Sequence, residues 1–123
     1  MEGWWCILSF SPEILTHPGV FFCTTNNAYT SVDRNTGARG LEKLFADRIE
    51  REPGWVATRT EATPINQPTC NQAEVLYPGE LSIDYLKHIY VQDVEYAYAT
   101  ESFFDMFEGL PVQDCEVKPE LFK

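Results

Sequence analysis

The residue with the clearest capacity for chemistry is a glutamate inside an otherwise apolar stretch, N-Q-A-E-V-L-Y-P-G at positions 71 to 79. This stretch predicts a strand from Gln72 to Tyr77. Alternation of side chains along a strand places Glu74 on the same face as Gln72 and Leu76. A carboxylate there either faces solvent on an edge strand or stands at a cleft beside the preceding loop. Spacing alone favours the exposed alternative.

A second candidate is a cluster of basic residues that contains every Lys and Arg of the first 60 positions. Its members are Arg34, Arg39, Lys43, Arg48, Arg51 and Arg59. Arg39 with Lys43, and Arg48 with Arg51, have the spacing of neighbours on a helix, so Arg39, Arg48 and Arg51 could contact phosphates of DNA or of a nucleotide. Acidic residues are interleaved among them. The pattern therefore favours the alternative, a solvated helix that carries salt bridges.

Four phrases of the sequence form a more specific pattern when taken together. They are W-C-I-L-S-F-S-P-E-I-L, G-V-F-F-C-T-T-N-N-A, Q-A-E-V-L-Y-P-G and Y-L-K-H-I-Y-V. Their order resembles that of the DarT-like DNA ADP-ribosyltransferases. The resemblance implies a toxin that transfers ADP-ribose from NAD to thymidine in single-stranded DNA, usually opposed by a macrodomain antitoxin. It also implies that Glu74 is the catalytic glutamate and that the loop reaching Asn71 and Gln72 recognises the substrate.

Part of the family pattern has no counterpart here. DarT-like proteins carry, before the W-C-I-L-like strand, a His, an N-L dipeptide, a G-L-L turn and an Arg that together hold NAD, whereas this sequence starts almost on that strand. His17 and His88 do not match those positions and are expected to be ordinary surface or packing residues. The resemblance thus predicts the carboxyl-terminal part of the domain, truncated at its amino terminus and inactive alone if the NAD-binding region is absent.

The reaction explains why a fixed carboxylate is needed. When nicotinamide leaves NAD, positive charge develops on the ribose, and a carboxylate that hydrogen-bonds a ribose hydroxyl stabilises that charge most strongly in the transition state. The same group could take the proton from the attacking base nitrogen.

The remaining pattern predicts a mixed order of strands and helices, and hence an α+β fold. Strands are expected at 4–10, 20–24 and 89–91, a long loop at 57–71 and a last helix at 94–108. An amphipathic helix is expected from Gly40 to about Glu50, because Leu41, Leu44, Phe45 and Ile49 follow helical spacing.

Composition limits the class of protein. The 123 residues suggest a single domain over 1–123, with a loosely packed acidic tail at 110–123. The net charge is −10, and the second half is the acidic half, with twelve acidic and three basic residues after position 60. Such a charge, taken alone, argues against binding nucleic acid.

The sequence has no apolar run long enough to cross a membrane and no signal peptide, so a cytoplasmic protein without membrane contact is expected. The four cysteines are widely spaced, without a C-x-x-C pair, so a metal site is not expected. They could form two disulfides, but free, mostly buried thiols are favoured. NAD as a substrate is the one small molecule that the resemblance implies.

Three functions remain open. The first is an ADP-ribosyltransferase, or the catalytic part of one. The second is a noncatalytic binding or assembly module that keeps part of the fold, in which exposed aromatic residues would favour self-association. The third is a plain acidic interaction domain, which predicts that Glu74 points into open solvent with no cleft beside the loop.

Overall fold

The computed structural model describes residues 5–30, 32–106 and 115–122. Their contacts divide the chain into two compact units, Leu15–Leu81 on one side and Met1–Ile14 with Ser82–Lys123 on the other. Among these residues, no helix is both long and apolar enough to span a membrane. The expectation of a single domain stays a prediction.

The described elements alternate between short strands and helices, as expected of an α+β fold. The strands are β1 Cys6–Phe10, β2 Phe21–Cys23, β3 Arg34–Thr36, β4 Arg48–Glu52, β5 Trp55–Thr58, β6 Glu74–Leu76, β7 Leu86–Val91 and β8 Cys115–Val117. The α-helices are α1 Gly37–Lys43 and α2 Val94–Asp105, and short 3-10 helices span Pro12–Thr16, Ile83–Tyr85 and Pro119–Phe122.

The unit Leu15–Leu81 is built on an antiparallel sheet in the order β3-β2-β6. In its register Phe21 lies opposite Leu76, and Cys23 lies between Arg34 on one side and Glu74 on the other. Strand β3 follows β2 in the chain, whereas β6 comes from a distant segment, so pairing with β2 fixes the position of Glu74. The predicted strand at 20–24 is confirmed with narrower bounds.

A small apolar core supports this sheet. Val20, Phe22 and Leu44 are almost fully buried. The partly buried side chains packed against them are Leu15, Leu41, Phe45, Ala73 and Tyr77. Helix α1 approaches the sheet at Gly40, where an added Cβ would lie 2.6 Å from the carbonyl oxygen of Asn35. Only glycine permits this close approach without moving the helix.

The helix expected from Gly40 to Glu50 is wrong in its second half. Helix α1 ends at Lys43, and residues from Arg48 onward form strand β4, paired with β5 in an antiparallel hairpin. The helical part of the pattern ends with Leu41, Leu44 and Phe45, which lie on α1 or directly after it. Ile49 is buried on strand β4. Alternating burial in R-I-E-R-E and the Pro53-Gly54 turn, with Gly54 at a φ of 83°, are strand and turn features that the helical spacing obscured.

The other unit contains a sheet in the order β1-β7-β8, with β1 antiparallel and β8 parallel to β7. Ile89 and Val91 are fully buried. Helix α2 begins after Asp93, whose carboxylate accepts hydrogen bonds from the N–H groups of Glu95 and Tyr96.

The expectation of a loosely packed tail at 110–123 is wrong for its described part. Cys115–Val117 pairs with β7 as strand β8, and the backbone N–H of Lys118 donates to the carbonyl of Val91 at 2.9 Å. A strand with backbone partners is held in place despite its acidic composition. Residues 110–114 and 123, and the predicted end of the last helix at 107–108, lie outside the described residues.

Candidate functional site

Glu74 is the first residue of β6 and is half-buried. Its Oε2 accepts a hydrogen bond from the backbone N–H of Asn27 at 3.0 Å. The bond joins residues 47 positions apart, so the carboxylate is fixed by the tertiary fold rather than by its own strand. A side chain held in this way does not point freely into solvent, which argues against the plain acidic domain.

The turn after β2 aims the Asn27 N–H at this carboxylate. The Oδ1 of Asn26 accepts from the N–H of Ala28 at 2.8 Å, and the Asn26 carbonyl accepts from the N–H of Tyr29 at 3.1 Å. Thr25, just before them, is fully buried and its Oγ1 lies 3.3 Å from the Sγ of Cys70. Asparagine side chains commonly stabilise such turns by bonding the backbone two residues on. The donor to Glu74 is therefore preorganised.

Cys23, opposite Glu74 in the sheet, is a buried neighbour rather than a nucleophile. Burial raises the pKa of its thiol, the positive charge of Arg34 opposes that change, and the negative charge of Glu74 adds to it. A raised pKa leaves less thiolate at neutral pH, and the thiolate is the reactive form. All four cysteines are free thiols, as the sequence predicted.

This burial predicts an order of thiol reactivity. At neutral pH, brief alkylation with iodoacetamide should modify Cys6 and Cys115, which are half-buried, at least about tenfold faster than the fully buried Cys23 and Cys70, since those need local opening. Peptide mass spectrometry gives the four rates. Labelling of Cys23 as fast as Cys6 would show that the β2 environment is open in solution.

A hollow of about 640 Å³ lies in the segment before β6. Its polar lining consists of Thr60, Thr63, Gln67, Thr69 and Asn71. It ends at Ala73, the residue before Glu74, while Glu74 itself is not in its lining. The volume lies within the range of small-molecule sites, about 300 to 1,000 Å³. The long loop predicted at 57–71 is present but starts later, because Ala57 and Thr58 belong to strand β5, and it forms an open hollow.

Asn71 and Gln72, the two predicted substrate-loop residues, are placed differently. Asn71 is exposed and lines the hollow, whereas Gln72 is half-buried and does not. Both lie in a turn closed by the N–H of Ala73 donating to the carbonyl of Cys70 at 3.1 Å. The strand begins at Glu74 rather than at Gln72, so the predicted alternation does not extend back to Gln72. The turn hydrogen bond takes the place of strand pairing there.

The helical spacing of Arg39 with Lys43 is realised on α1, whereas the helix expected to carry Arg48 with Arg51 is wrong. Arg39 is exposed on α1, whereas Arg48 and Arg51 lie on β4. Arg51 stacks on Trp55, with its guanidinium carbon 3.6 Å from a ring centroid. Arg48 lines a separate hollow of about 360 Å³. Their contacts with phosphates stay predictions.

Of the salt bridges expected in the basic cluster, the described residues form one, between Lys43 and Asp33. Lys43 Nζ lies 3.1 Å from a carboxylate oxygen of Asp33. The hydrogen bond from Asn35 to Asp33, together with Lys43, lowers the pKa of that carboxyl group below its ordinary value. An exposed pair of this kind contributes little to stability.

The two histidines take part in side-chain pairs. The Nδ1 of His17 lies 2.6 Å from the Tyr77 hydroxyl, and the rings meet edge to face. The Nδ1 of His88 lies 3.0 Å from a carboxylate oxygen of Glu116. In the part of the chain that the structure describes, no group of three or more His, Cys, Asp or Glu residues could hold a metal ion.

Comparison with solved structures shows a similar fold. Among solved structures, the chain is similar to Thermosipho africanus DarTG in complex with ADP-ribose, with a TM-score of 0.62 and 13% sequence identity. The alignment covers 95% of this chain and 28% of that chain. No curated protein matches the sequence. The described fold is α+β, as the sequence predicted, and it is similar to the fold of that structure.

The family follows from the sequence comparison. The family model described as ssDNA thymidine ADP-ribosyltransferase, DarT, matches residues 2–123. The chain belongs to the DarT family. The expectation that only the carboxyl-terminal part of the domain is represented stays a prediction.

Proposed function

We propose that this protein transfers ADP-ribose from NAD to thymidine in single-stranded DNA, with Glu74 as the catalytic glutamate. One observation carries the proposal: a half-buried carboxylate, fixed by the Asn27 N–H, directly follows a polar hollow of nucleotide size. The family description names the same activity. The position of Glu74 after the hollow, the hydrogen bond that holds its carboxylate and the activity in the family description together support its catalytic role.

In this proposal the bond between the ribose and nicotinamide breaks, and the electron pair leaves with nicotinamide. Positive charge develops at the anomeric carbon and the ring oxygen of the ribose. One oxygen of Glu74 is held by Asn27, and the other accepts a hydrogen bond from a ribose hydroxyl. Because the carboxylate is held in place before the reaction, little reorganisation is needed when the charge forms.

A nitrogen of the thymine ring then forms the new bond to the anomeric carbon. Its proton has to leave, and Glu74 is the nearest base that the strand supplies. The polar hollow before β6 takes the thymine, since the hydroxyl and amide groups of Thr63, Gln67 and Asn71 can hydrogen-bond a base edge.

The basic residues offer local contacts for DNA, although the unit Leu15–Leu81 holds eight acidic residues against six basic ones. The six basic residues of the first half all lie in the unit Leu15–Leu81, together with Glu74. We assign phosphate contacts to Arg39, Arg48 and Arg51, so oligonucleotide affinity should fall as salt rises. A macrodomain antitoxin is the protein partner that we propose, and we also propose a cytoplasmic location. Self-association is a further proposal.

The test is a mass measurement. Incubation with NAD and a thymidine-containing single-stranded oligonucleotide should add one ADP-ribose to the oligonucleotide, and an oligonucleotide of the same length without thymidine should stay unmodified. Binding of NAD and the oligonucleotide without any transfer would favour a noncatalytic binding module instead. Modification of both oligonucleotides would contradict thymidine as the target.

A further inference from the structure

Arg59 differs from the other basic residues because its guanidinium group donates hydrogen bonds to the loop before Glu74. One guanidinium nitrogen, Nη1, donates to the Gln67 carbonyl at 2.6 Å and to the Thr69 Oγ1 at 3.2 Å. The other, Nη2, donates to the Pro64 carbonyl at 3.0 Å. Its guanidinium carbon also lies 5.6 Å from the centroid of the Phe45 ring. The side chain thus contacts the middle and the far end of the loop.

The loop has two consecutive turns that these bonds hold together. In the first, the Thr63 N–H donates to the Thr60 carbonyl at 3.0 Å; in the second, the Gln67 N–H donates to the Pro64 carbonyl, also at 3.0 Å. Each turn alone is local and closes only four residues. Arg59 bonds the second turn from outside it, so the loop conformation depends on a group at its base.

The ends of the loop are anchored to the segment after α1. The Arg59 N–H donates to the Asp47 carbonyl at 2.9 Å, and the Thr69 N–H donates to the Leu44 carbonyl at 2.9 Å. The hydroxyl of Thr69 bonds the carbonyl of Ala46. Between the fixed ends, the guanidinium bonds the carbonyls of Pro64 and Gln67, in addition to the loop's own bonds at Thr60 and Thr63. This part of the loop supplies Thr60, Thr63, Pro64 and Gln67 to the lining of the hollow.

We infer that Arg59 is a positioning residue, which holds the loop from Arg59 to Cys70 in one conformation so that its hollow is preformed for a base of single-stranded DNA. This inference rests on the proposed function for the identity of the ligand. Arg59 does not itself contact the reacting atoms. A planar guanidinium suits the role because it presents several N–H donors in a fixed geometry, whereas a lysine offers a single point charge.

The test compares Arg59→Gln and Arg59→Lys with Lys87→Gln, an exposed residue of the other unit whose change removes the same charge. Amide exchange by NMR reports on the loop without any ligand. We expect exchange of the Thr63 and Gln67 N–H groups to accelerate about tenfold or more in Arg59→Gln, with Ile89 and Val91 unchanged. Unchanged exchange at Thr63 and Gln67 would overturn the inference.

Kinetics separate positioning from general damage. In Arg59→Gln the KM for the thymidine oligonucleotide should rise about tenfold or more, while hydrolysis of NAD without DNA stays close to that of the unmodified protein. Arg59→Lys should recover part of the oligonucleotide KM. Equal loss of both reactions in Arg59→Gln would contradict the inference. If the unmodified protein shows no activity on the oligonucleotide, the proposed function fails, and the exchange rates alone decide the role of Arg59.

Discussion

Glu74→Gln is expected to lower the rate of ADP-ribose transfer by about a hundred- to a thousandfold, the usual cost of losing one preorganised electrostatic partner of a transition state. Glutamine keeps an oxygen that can accept from the Asn27 N–H, so the turn and the strand keep their geometry. What disappears is the negative charge that faces the ribose. Initial rates at saturating NAD and oligonucleotide give the comparison.

Glu80→Gln is the matched control for this change. Glu80 belongs to the same unit, is exposed, and loses the same charge on substitution. Its rate should stay within about twofold of the unmodified protein, because an exposed surface charge has little effect on a fixed site. A Glu74→Gln rate as high as that of Glu80→Gln would remove Glu74 from the chemistry.

Phe22→Ala is expected to destabilise the unit that carries the site by about 3 to 5 kcal/mol, the usual range for emptying a buried aromatic position. Phe22 is 1% exposed and packs with Val20 and Leu44. Small proteins are stable by only about 5 to 15 kcal/mol, so this one change should unfold a large share of the molecules on mild warming. Urea titration followed by circular dichroism measures the difference in the free energy of unfolding.

Phe21→Ala, at the neighbouring position, supplies the control. Phe21 is 44% exposed, and its side chain projects from the opposite face of β2. Its loss should cost about 1.5 kcal/mol at most, since only part of the ring leaves an apolar environment. Equal destabilisation by the two substitutions would mean that the face of β2 that carries Phe22 does not pack against the core of this unit.

The sequence predicted those elements whose local signals agree with the tertiary structure. The pattern of residues 94–108 predicted the last helix, and the structure shows that Asp93 caps it. Ser82 likewise caps the short 3-10 helix at Ile83–Tyr85. The β4–β5 hairpin was missed because Leu41, Leu44 and Ile49 satisfy helical spacing, although Ile49 serves a different element. Strand β8 was missed because C-E-V is short, polar in part and stabilised by pairing with β7.

The sequence pointed to one residue of the candidate site and to the loop before it. It did not predict how the side chains and backbone groups of the site are arranged in space. An isolated Glu in an apolar strand, together with the Q-A-E phrase, pointed to Glu74. Its partner, the Asn27 N–H, lies 47 positions away and has no side-chain signature. Arg59 was grouped with the other basic residues because the sequence shows that a residue is charged but not where its side chain points. Its three acceptors include two backbone carbonyls, which no residue pattern reveals.

The central claim, that the Glu74 carboxylate stands in a nucleotide site, is tested most directly by titrating ADP-ribose into ¹⁵N-labelled protein. The backbone N–H of Asn27 reports on the carboxylate because it donates to Oε2 at 3.0 Å. We expect saturable shifts of the Asn27 and Glu74 amide signals, with the Asn27 shift lost in Glu74→Gln. An Asn27 signal that does not move at saturating ADP-ribose, or moves equally in Glu74→Gln, would contradict it.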